Sequence, residues 1–204
     1  MIDRKMEEKI KKKEAVMQKE IERIVYYLVS IENTQESLER RPYMILEDMA
    51  VVFGILDIDG ATIHEVDDKK AMDHGWSEKF LWERAKRNTE LLLPARIEPV
   101  SQTIIGHTED EPVFLLSNEA RRYGAGTICY ENVLQDFSMK YGWNLYLLPT
   151  SIHEFIILFD QGIYNEENLQ KILQESNQRL EQQEFLSDNI YYYDRDQREF
   201  FALF

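Results

Sequence analysis

The chain has 204 residues, of which 44% are hydrophobic and 12% aromatic, enough apolar side chain for one sizeable folded domain. With only 8 glycines and 5 prolines, it is neither a disordered nor a low-complexity chain. The formal net charge is −14, and the excess lies beyond residue 40, which opposes general binding to nucleic acid or to an anionic membrane.

The first half of the chain predicts a charged helix, a short polar helix and a hairpin, in that order. Good helix formers with apolar residues at near-helical spacing predict a helix over residues 3–22. Residues 24–29 are apolar and fit either a continuation of this helix or a first strand. The following segments predict a helix over 32–40, a strand over 49–58, a turn at Asp59-Gly60, a strand over 61–66 and a helix over 77–92.

The second half predicts shorter strands that alternate with helices. Strands are expected over 97–105, 113–116 and 127–130, with a polar loop over 106–111 and one helical turn after Ser117 or Asn118. They are followed by a helix over 133–141, two strands within 145–159, a helix from Asn165 and a terminal hairpin of 189–193 with 199–204.

These elements predict an α+β fold, with a mixed, mainly antiparallel sheet, several packed helices and an N-terminal charged helix. Residues 1–23 form a charged arm in this prediction and residues 24–204 a single α+β domain, because no long linker divides them. The arm has a thin apolar stripe, which leaves three roles open: a solvated helix, half of a coiled coil, or a helix docked on the domain.

Cys129 is the single cysteine of the sequence. A lone cysteine forms no internal disulfide and no cysteine-rich zinc site, so we interpret Cys129 as a small buried hydrophobe in a reduced compartment. The N-terminal residues are charged from Asp3 onward, and no apolar run is long enough to cross a bilayer. The expected location is therefore the cytoplasm.

The segment from Pro149 to Glu154 brings a hydroxyl, an imidazole and a carboxylate together between two apolar runs of strand length. A hydrolase would use Ser151 as nucleophile, His153 as base and Glu154 as the carboxylate that orients it. In an extended strand, however, Ser151 and His153 share one face and Glu154 points to the other. We therefore favour a structural corner in which Thr150 or Ser151 bonds to the turn backbone and His153 bonds to a backbone carbonyl, and keep catalysis as the alternative.

A weaker pattern, Asp57-x-Asp59-Gly60 followed by Asp67-x-Lys69, loosely resembles metal-dependent nucleases, which place an acidic residue on one strand and an Asp-x-Lys on the next to hold Mg²⁺ and the attacking water. Such a site would require Asp57 or Asp59 to converge with Asp67 and Lys69. The same residues also form ordinary hairpin turns, and a strongly acidic protein repels a polyanionic substrate, so this hypothesis ranks third. The sequence contains no nucleotide-binding glycine motif, and we expect no cofactor and no metal.

The ordered series of segments resembles an uncharacterised domain family of Firmicutes, chiefly Clostridia, known as domain-of-unknown-function family number 5688. The matching segments are RPYMILEDMAVVFGI from Arg41, HGWSEKFLWERAKRNTELLLP from His74, FLLSNEARRYGAGTICYENVLQDF from Phe114, LYLLPTSIHEFIILFDQG from Leu145 and FLSDNIYYYDRD from Phe185. The Leu-Pro-x-Ser-x-His-Glu and Leu-Ser-Asp-x-x-Tyr-x-Tyr-Asp blocks are the most specific. The resemblance implies a bacterial or phage origin and a cytoplasmic α+β protein, and it implies no activity.

We therefore expect a non-enzymatic protein-interaction protein. Its acidic surface or its aromatic terminal hairpin would bind a protein partner, and a concrete version is an inhibitor that occupies the basic nucleic-acid-binding groove of a host defence complex. No direct contact with nucleic acid or membrane is expected, and self-association stays open. Carboxylates grouped at one place on the folded surface would support this version, whereas an even dispersion would remove its basis.

Overall fold

The computed structural model of the protein describes residues 4–60, 62–100 and 112–203. The helices are α1 Arg4–Ile21, α2 Ile31–Leu38, α3 Asp68–His74, α4 Glu78–Leu92, α5 Val133–Tyr141 and α6 Glu166–Asn177, with a 3-10 helix at Gly124–Cys129. The strands are β1 Ile24–Ser30, β2 Tyr43–Leu46, β3 Met49–Leu56, β4 Ile63–Glu65, β5 Ala95–Val100, β6 Val113–Asn118, β7 Leu145–Ser151, β8 Glu154–Phe159, β9 Tyr191–Asp194 and β10 Glu199–Ala202.

The described strands pair antiparallel and form two sheets rather than one. The first sheet has the order β1-β3-β2, with β4 also paired to β3, and the second has the order β10-β9-β7-β8-β6-β5. The α+β prediction with mainly antiparallel pairing is confirmed. Every residue of β1 and β3 is buried, so these strands are covered on both faces and read as continuous apolar runs.

One apolar core is shared by the two sheets. It joins Tyr26 and Phe53 of the first sheet to Leu116, Phe155 and Tyr191 of the second. A smaller cluster lies on the other face of the second sheet, where α6 packs against it. The aromatic residues of the terminal hairpin are thus largely part of the packing, although Phe201 stays 37% exposed.

The C-terminal end of α1 contacts the rest of the protein. Met17 and Ile21 pack against the shared core. Glu20 forms an ion pair with Lys70 Nζ at 2.8 Å, and its other carboxylate oxygen lies 3.3 Å from His74 Nε2. Of the three roles left open for the arm, the described residues therefore favour a helix whose last turns are docked, while the predicted boundary at residue 23 stays a prediction.

Two local predictions are wrong. Residues predicted as a strand over 127–130 belong mainly to the 3-10 helix, in which Thr127 Oγ1 donates to the Gly124 carbonyl at 2.6 Å. β6 continues through Asn118, and residues 119–123 form a turn and a bend in place of the helical turn that was expected after Ser117 or Asn118. The error at 127–130 arose because a buried β-branched residue is apolar and β-prone in any backbone conformation.

Other predictions are confirmed or fall outside the described residues. Residues 24–29 belong to β1, and the helices at 32–40, 77–92 and 133–141 are present with small shifts at their ends. Residues 101–105 of a predicted strand, the predicted loop 106–111, and residues 61 and 204 lie outside the described residues. None of the described helices is long and apolar enough to cross a membrane.

Candidate functional site

The hairpin that joins β7 to β8 is fastened by hydrogen bonds to the backbone. Ser151 Oγ accepts from the His153 amide at 3.0 Å, which closes the turn. The imidazole of His153 uses Nδ1 to accept from the Tyr123 amide at 2.9 Å. Ser117 Oγ donates to the His153 carbonyl at 2.8 Å. Ser151 thus bonds to the turn backbone as the corner interpretation expected, whereas the imidazole of His153 accepts from a backbone amide instead of bonding to the expected carbonyl.

The structure does not bring Ser151, His153 and Glu154 together as a catalytic set. No hydrogen bond joins Ser151 Oγ to the imidazole among the described residues, and Ser151 is buried. Glu154 instead lines a separate groove with Thr150 and Arg179. The hydrolase hypothesis stays a prediction from the sequence, without the nucleophile–base contact that it needs.

His153 is held as a neutral acceptor. Burial lowers the pKa of its imidazole, and this outweighs the opposite effect of the nearby Glu184 carboxylate, which lies 4.0 Å from Nε2. A proton on Nδ1 would also break the bond to the Tyr123 amide. The neutral form is thus the one that fits the fold.

Stability should therefore fall as acid is added. Because the folded pKa of His153 is lowered, the unfolded chain binds a proton first as the pH drops below the ordinary histidine value of about 6.5. We expect a His153→Asn variant, whose Oδ1 can replace Nδ1 as acceptor, to lose less Tm than the wild type between about pH 7.5 and about pH 5.5. Thermal unfolding followed by circular dichroism checks this. If the Tm of both proteins fell equally over this pH range, protonation of the imidazole would not be linked to unfolding.

The residues of the predicted nuclease pattern are used in turns and caps. Asp57 accepts from the Ile58 amide at 2.6 Å, and Asp59 accepts from the Thr62 amide at 3.4 Å. Asp67 caps the start of α3 by accepting from the Lys70 amide at 2.7 Å. The residues that the structure describes contain no group of three or more histidine, cysteine or acidic side chains that could hold a metal ion. The nuclease hypothesis stays a prediction.

A cleft lies where α2 and the β2–β3 turn meet the segment 181–189. It has two adjoining lobes of about 500 and about 350 Å³ that share Ser30 and Phe185. Carboxylates and amides provide most of the polar lining: Glu32, Asn33, Gln35, Asp48, Glu181, Gln182, Gln183, Asp188 and Asn189. No lysine, arginine or histidine is among the described residues that line either lobe. We call this region the acidic cleft.

Its four carboxylates, on Glu32, Asp48, Glu181 and Asp188, carry uncompensated charge. In the described part of the chain none of them forms an ion pair with a lysine, arginine or histidine. The acidic cleft is therefore a local source of negative potential.

The cleft is built from segments that are far apart in sequence. The Ile152 amide donates to the Glu184 carbonyl at 2.8 Å, so the β7–β8 hairpin fixes one end of segment 181–189. Asn33 Nδ2 donates to the Gln182 carbonyl at 3.2 Å, which ties this segment to α2. The acidic cleft is thus held on both sides by hydrogen bonds.

Asp48 connects the β2–β3 turn to the C-terminal block. Its carboxylate accepts from Ser187 Oγ at 2.7 Å and from the Tyr191 hydroxyl. Burial, together with this bond to Asp48, raises the pKa of Tyr191, so its hydroxyl remains a donor. Asp48 therefore both charges the cleft and holds its wall.

The model of a family of unknown function, DUF5688, matches residues 2–195. The chain belongs to this family. No curated protein and no solved structure is significantly similar to it. Both of the most specific blocks of the family resemblance contribute to the acidic cleft: Ile152 from the first block, and Ser187 and Asp188 from the second.

Sequence reasoning did not find the cleft. Its carboxylates come from positions 32, 48, 181 and 188, so no local spacing connects them. Two signals were present: the acidic excess, and the Leu-Ser-Asp block at Leu186–Asp188. Neither shows which carboxylates meet, because that depends on the packing of α2 against segment 181–189.

Proposed function

We propose that the protein is a non-enzymatic interaction protein whose acidic cleft binds a basic surface of a protein partner. The observation that carries this proposal is the grouping of four carboxylates without cationic partners around one concave region. Such an arrangement raises the local concentration of a cationic ligand and orients it as it approaches.

The chemistry of the lining favours a peptide or protein over a small apolar ligand. Carboxylates accept charge-assisted hydrogen bonds from arginine and lysine, and arginine can make two parallel bonds to one carboxylate. The amides of Asn33, Gln35 and Asn189 can donate to and accept from a polypeptide backbone. Phe185 and Ile152 supply apolar contact on the cleft wall.

In its concrete form, the proposal is an inhibitor that occupies the basic nucleic-acid-binding groove of a host defence complex, with the acidic cleft receiving cationic side chains that project from that groove. The overall charge of −14 supports this, since a protein that imitates the charge of a nucleic acid competes for the same cations. We infer a cytoplasmic location in a bacterium of the Firmicutes, chiefly among the Clostridia, with the gene native to that host or carried there by a phage or other mobile element. It acts without direct contact with nucleic acid or membrane.

Neutralising two carboxylates of the cleft should weaken binding to a cationic probe. We expect the double variant Glu32→Gln, Glu181→Gln to bind a short fluorescein-labelled oligoarginine peptide about tenfold more weakly than the wild type, since each exposed pair contributes up to about 1 kcal/mol. Both side chains are exposed, so the fold should be unaffected. Fluorescence anisotropy at low salt measures the affinity.

The matched control neutralises two exposed carboxylates elsewhere, Asp136→Asn with Glu167→Gln. Asp136 and Glu167 lie in the first turn of a helix, as Glu32 does, so the control repeats the change in charge and matches the helix position of Glu32. It should bind nearly as the wild type does. Equal weakening of both double variants would mean that the peptide responds to net charge alone, and would contradict a role for the cleft.

A further inference from the structure

The outer edge of β2 is an open strand edge. β2 pairs only with β3 among the described strands, and Leu46 and Met49 flank the turn between them. Backbone groups alternate in direction along an antiparallel strand, so every second residue of β2 points its N–H and C=O away from β3.

The contacts of β1 show which residues point outward. The Tyr26 amide donates to Thr89 Oγ1 at 3.0 Å, so Tyr26 turns its amide away from its partner Phe53. The neighbouring residue of β3, Val52, must then direct its amide and carbonyl toward β1. Tyr43 lies opposite Val52 on the β2 side, so the amide and carbonyl of Tyr43 form no hydrogen bond with β3. The same holds for Ile45, two residues further along. Within the described residues, the amides and carbonyls of Tyr43 and Ile45 are thus free to pair with another strand.

A groove of about 1000 Å³ runs along this edge. β2 and the preceding Arg41 and Pro42 form one wall, and α3 with the α3–α4 turn forms the other. The rim is apolar and accessible, since Ile45 is 69% exposed and Met72 is 81% exposed. A groove between a strand edge and a helix is the geometry in which an extended peptide binds by strand addition.

The two edges of the second sheet are protected, whereas this one is not. β5 contains Pro99, and it carries the ion pairs of Glu98 with Arg96 and Arg121. On β10 the Ala202 amide donates to Glu47 Oε2 at 3.4 Å, and Glu199 adds charge. β2 reads YMIL and contains neither a charge nor a proline. Unprotected apolar edges recruit other strands, so proteins retain them where such pairing is used.

The charges of the groove indicate the chemistry of its occupant. Asp68 and Glu78 line it, both exposed, and neither forms an ion pair in the described part of the chain. Arg41 also lines it, but this buried guanidinium is already paired with Glu65 at 3.2 Å.

We infer that the β2 edge binds an extended peptide that alternates apolar with basic residues and adds to the first sheet as a further strand. Its backbone pairs with Tyr43 and Ile45, its apolar side chains contact Ile45 and Met72, and its basic side chains meet Asp68 and Glu78. This site is distinct from the acidic cleft and does not depend on it.

Amide hydrogen exchange followed by NMR tests the pairing directly. The probe is the peptide acetyl-KVKVKVK-amide, and its control, acetyl-KVKPKVK-amide, has the same charge but lacks one central amide. We expect the first peptide to slow exchange of the Tyr43 and Ile45 amides about tenfold or more, and the second to have little effect. Binding without protection of these two amides would overturn the inference.

A proline substitution supplies a second test. Ile45→Pro removes an amide that β3 does not use, so the sheet should survive while the added strand loses a bond. We expect peptide affinity to fall about tenfold in Ile45→Pro and less in Ile45→Ala, and to be retained in the double variant Glu32→Gln, Glu181→Gln. Unchanged affinity in Ile45→Pro would overturn the inference. The inference would also be overturned if, without peptide, exchange of the Tyr43 and Ile45 amides slowed as the protein concentration rose. In that case a second copy of the chain would occupy the edge.

Discussion

Replacement of Gly124 by alanine is expected to lower the free energy of unfolding by about 3 kcal/mol. A Cβ atom at this position would lie 2.2 Å from Ser117 Oγ, 2.5 Å from the His153 carbonyl oxygen and 2.7 Å from the Asn118 amide nitrogen. Two of these atoms are backbone, so the clash cannot be relieved by turning a side chain. Chemical denaturation of both proteins measures the loss.

Gly126→Ala in the same 3-10 helix is the matched control. Its added Cβ would meet only Tyr26 ring carbons at 3.4 and 3.6 Å and the Tyr27 Cα at 3.7 Å, which are ordinary contacts. We expect a change within about 1 kcal/mol of the wild type. If the two variants were equally stable, the close approach of the 3-10 helix to the β7–β8 hairpin would not be as described.

Replacement of Asp48 by alanine, which removes the carboxylate, should also lower the free energy of unfolding by about 3 kcal/mol. Asp48 accepts from the hydroxyls of Ser187 and Tyr191, whose residues are 2% and 0% exposed. Without it, these donors lose an acceptor that water cannot easily replace. Because the wall of the acidic cleft depends on this contact, Asp48→Ala should also bind the oligoarginine peptide more weakly than the wild type does.

The adjacent residue provides the comparison for this variant. Glu47 lies in the same turn, is exposed, and makes one long bond of 3.4 Å with the Ala202 amide. We expect Glu47→Ala to change stability by less than about 0.5 kcal/mol in denaturant titrations. An equal loss in both variants would indicate that net charge of the turn, rather than the buried hydroxyls, determines the effect.

Most of the secondary structure could be predicted from local patterns. The start of α4 could be predicted because Ser77 is a residue that caps helices, and its side chain accepts from the Phe80 amide at 3.2 Å. The end of α5 could be predicted because glycine favours the positive φ that ends a helix, and Gly142 has a φ of 81°. The division into two sheets could not be predicted, because it depends on which strands pair with one another, and these strands are far apart in the sequence. The 3-10 helix was also missed, since burial gave Thr127 and Ile128 the appearance of a strand.

The candidate site was predictable only in part. The corner at Ser151 and His153 could be inferred because strand alternation separates Glu154 from the other two side chains. Its partner could not be inferred, because Tyr123 donates its amide from a loop 30 residues earlier. The acidic cleft depends on still longer separations, such as the 139 residues between Asp48 and Ser187.

Affinity capture from the native host with quantitative mass spectrometry tests whether the acidic cleft binds a nucleic-acid-binding enzyme. Three baits are compared: the wild type, the cleft variant Glu32→Gln, Glu181→Gln, and the control variant Asp136→Asn, Glu167→Gln. A nucleic-acid-binding enzyme should be recovered with the wild type and the control, and be strongly depleted with the cleft variant. Equal recovery of that enzyme with all three baits, or a partner without a basic surface, would contradict this role of the cleft.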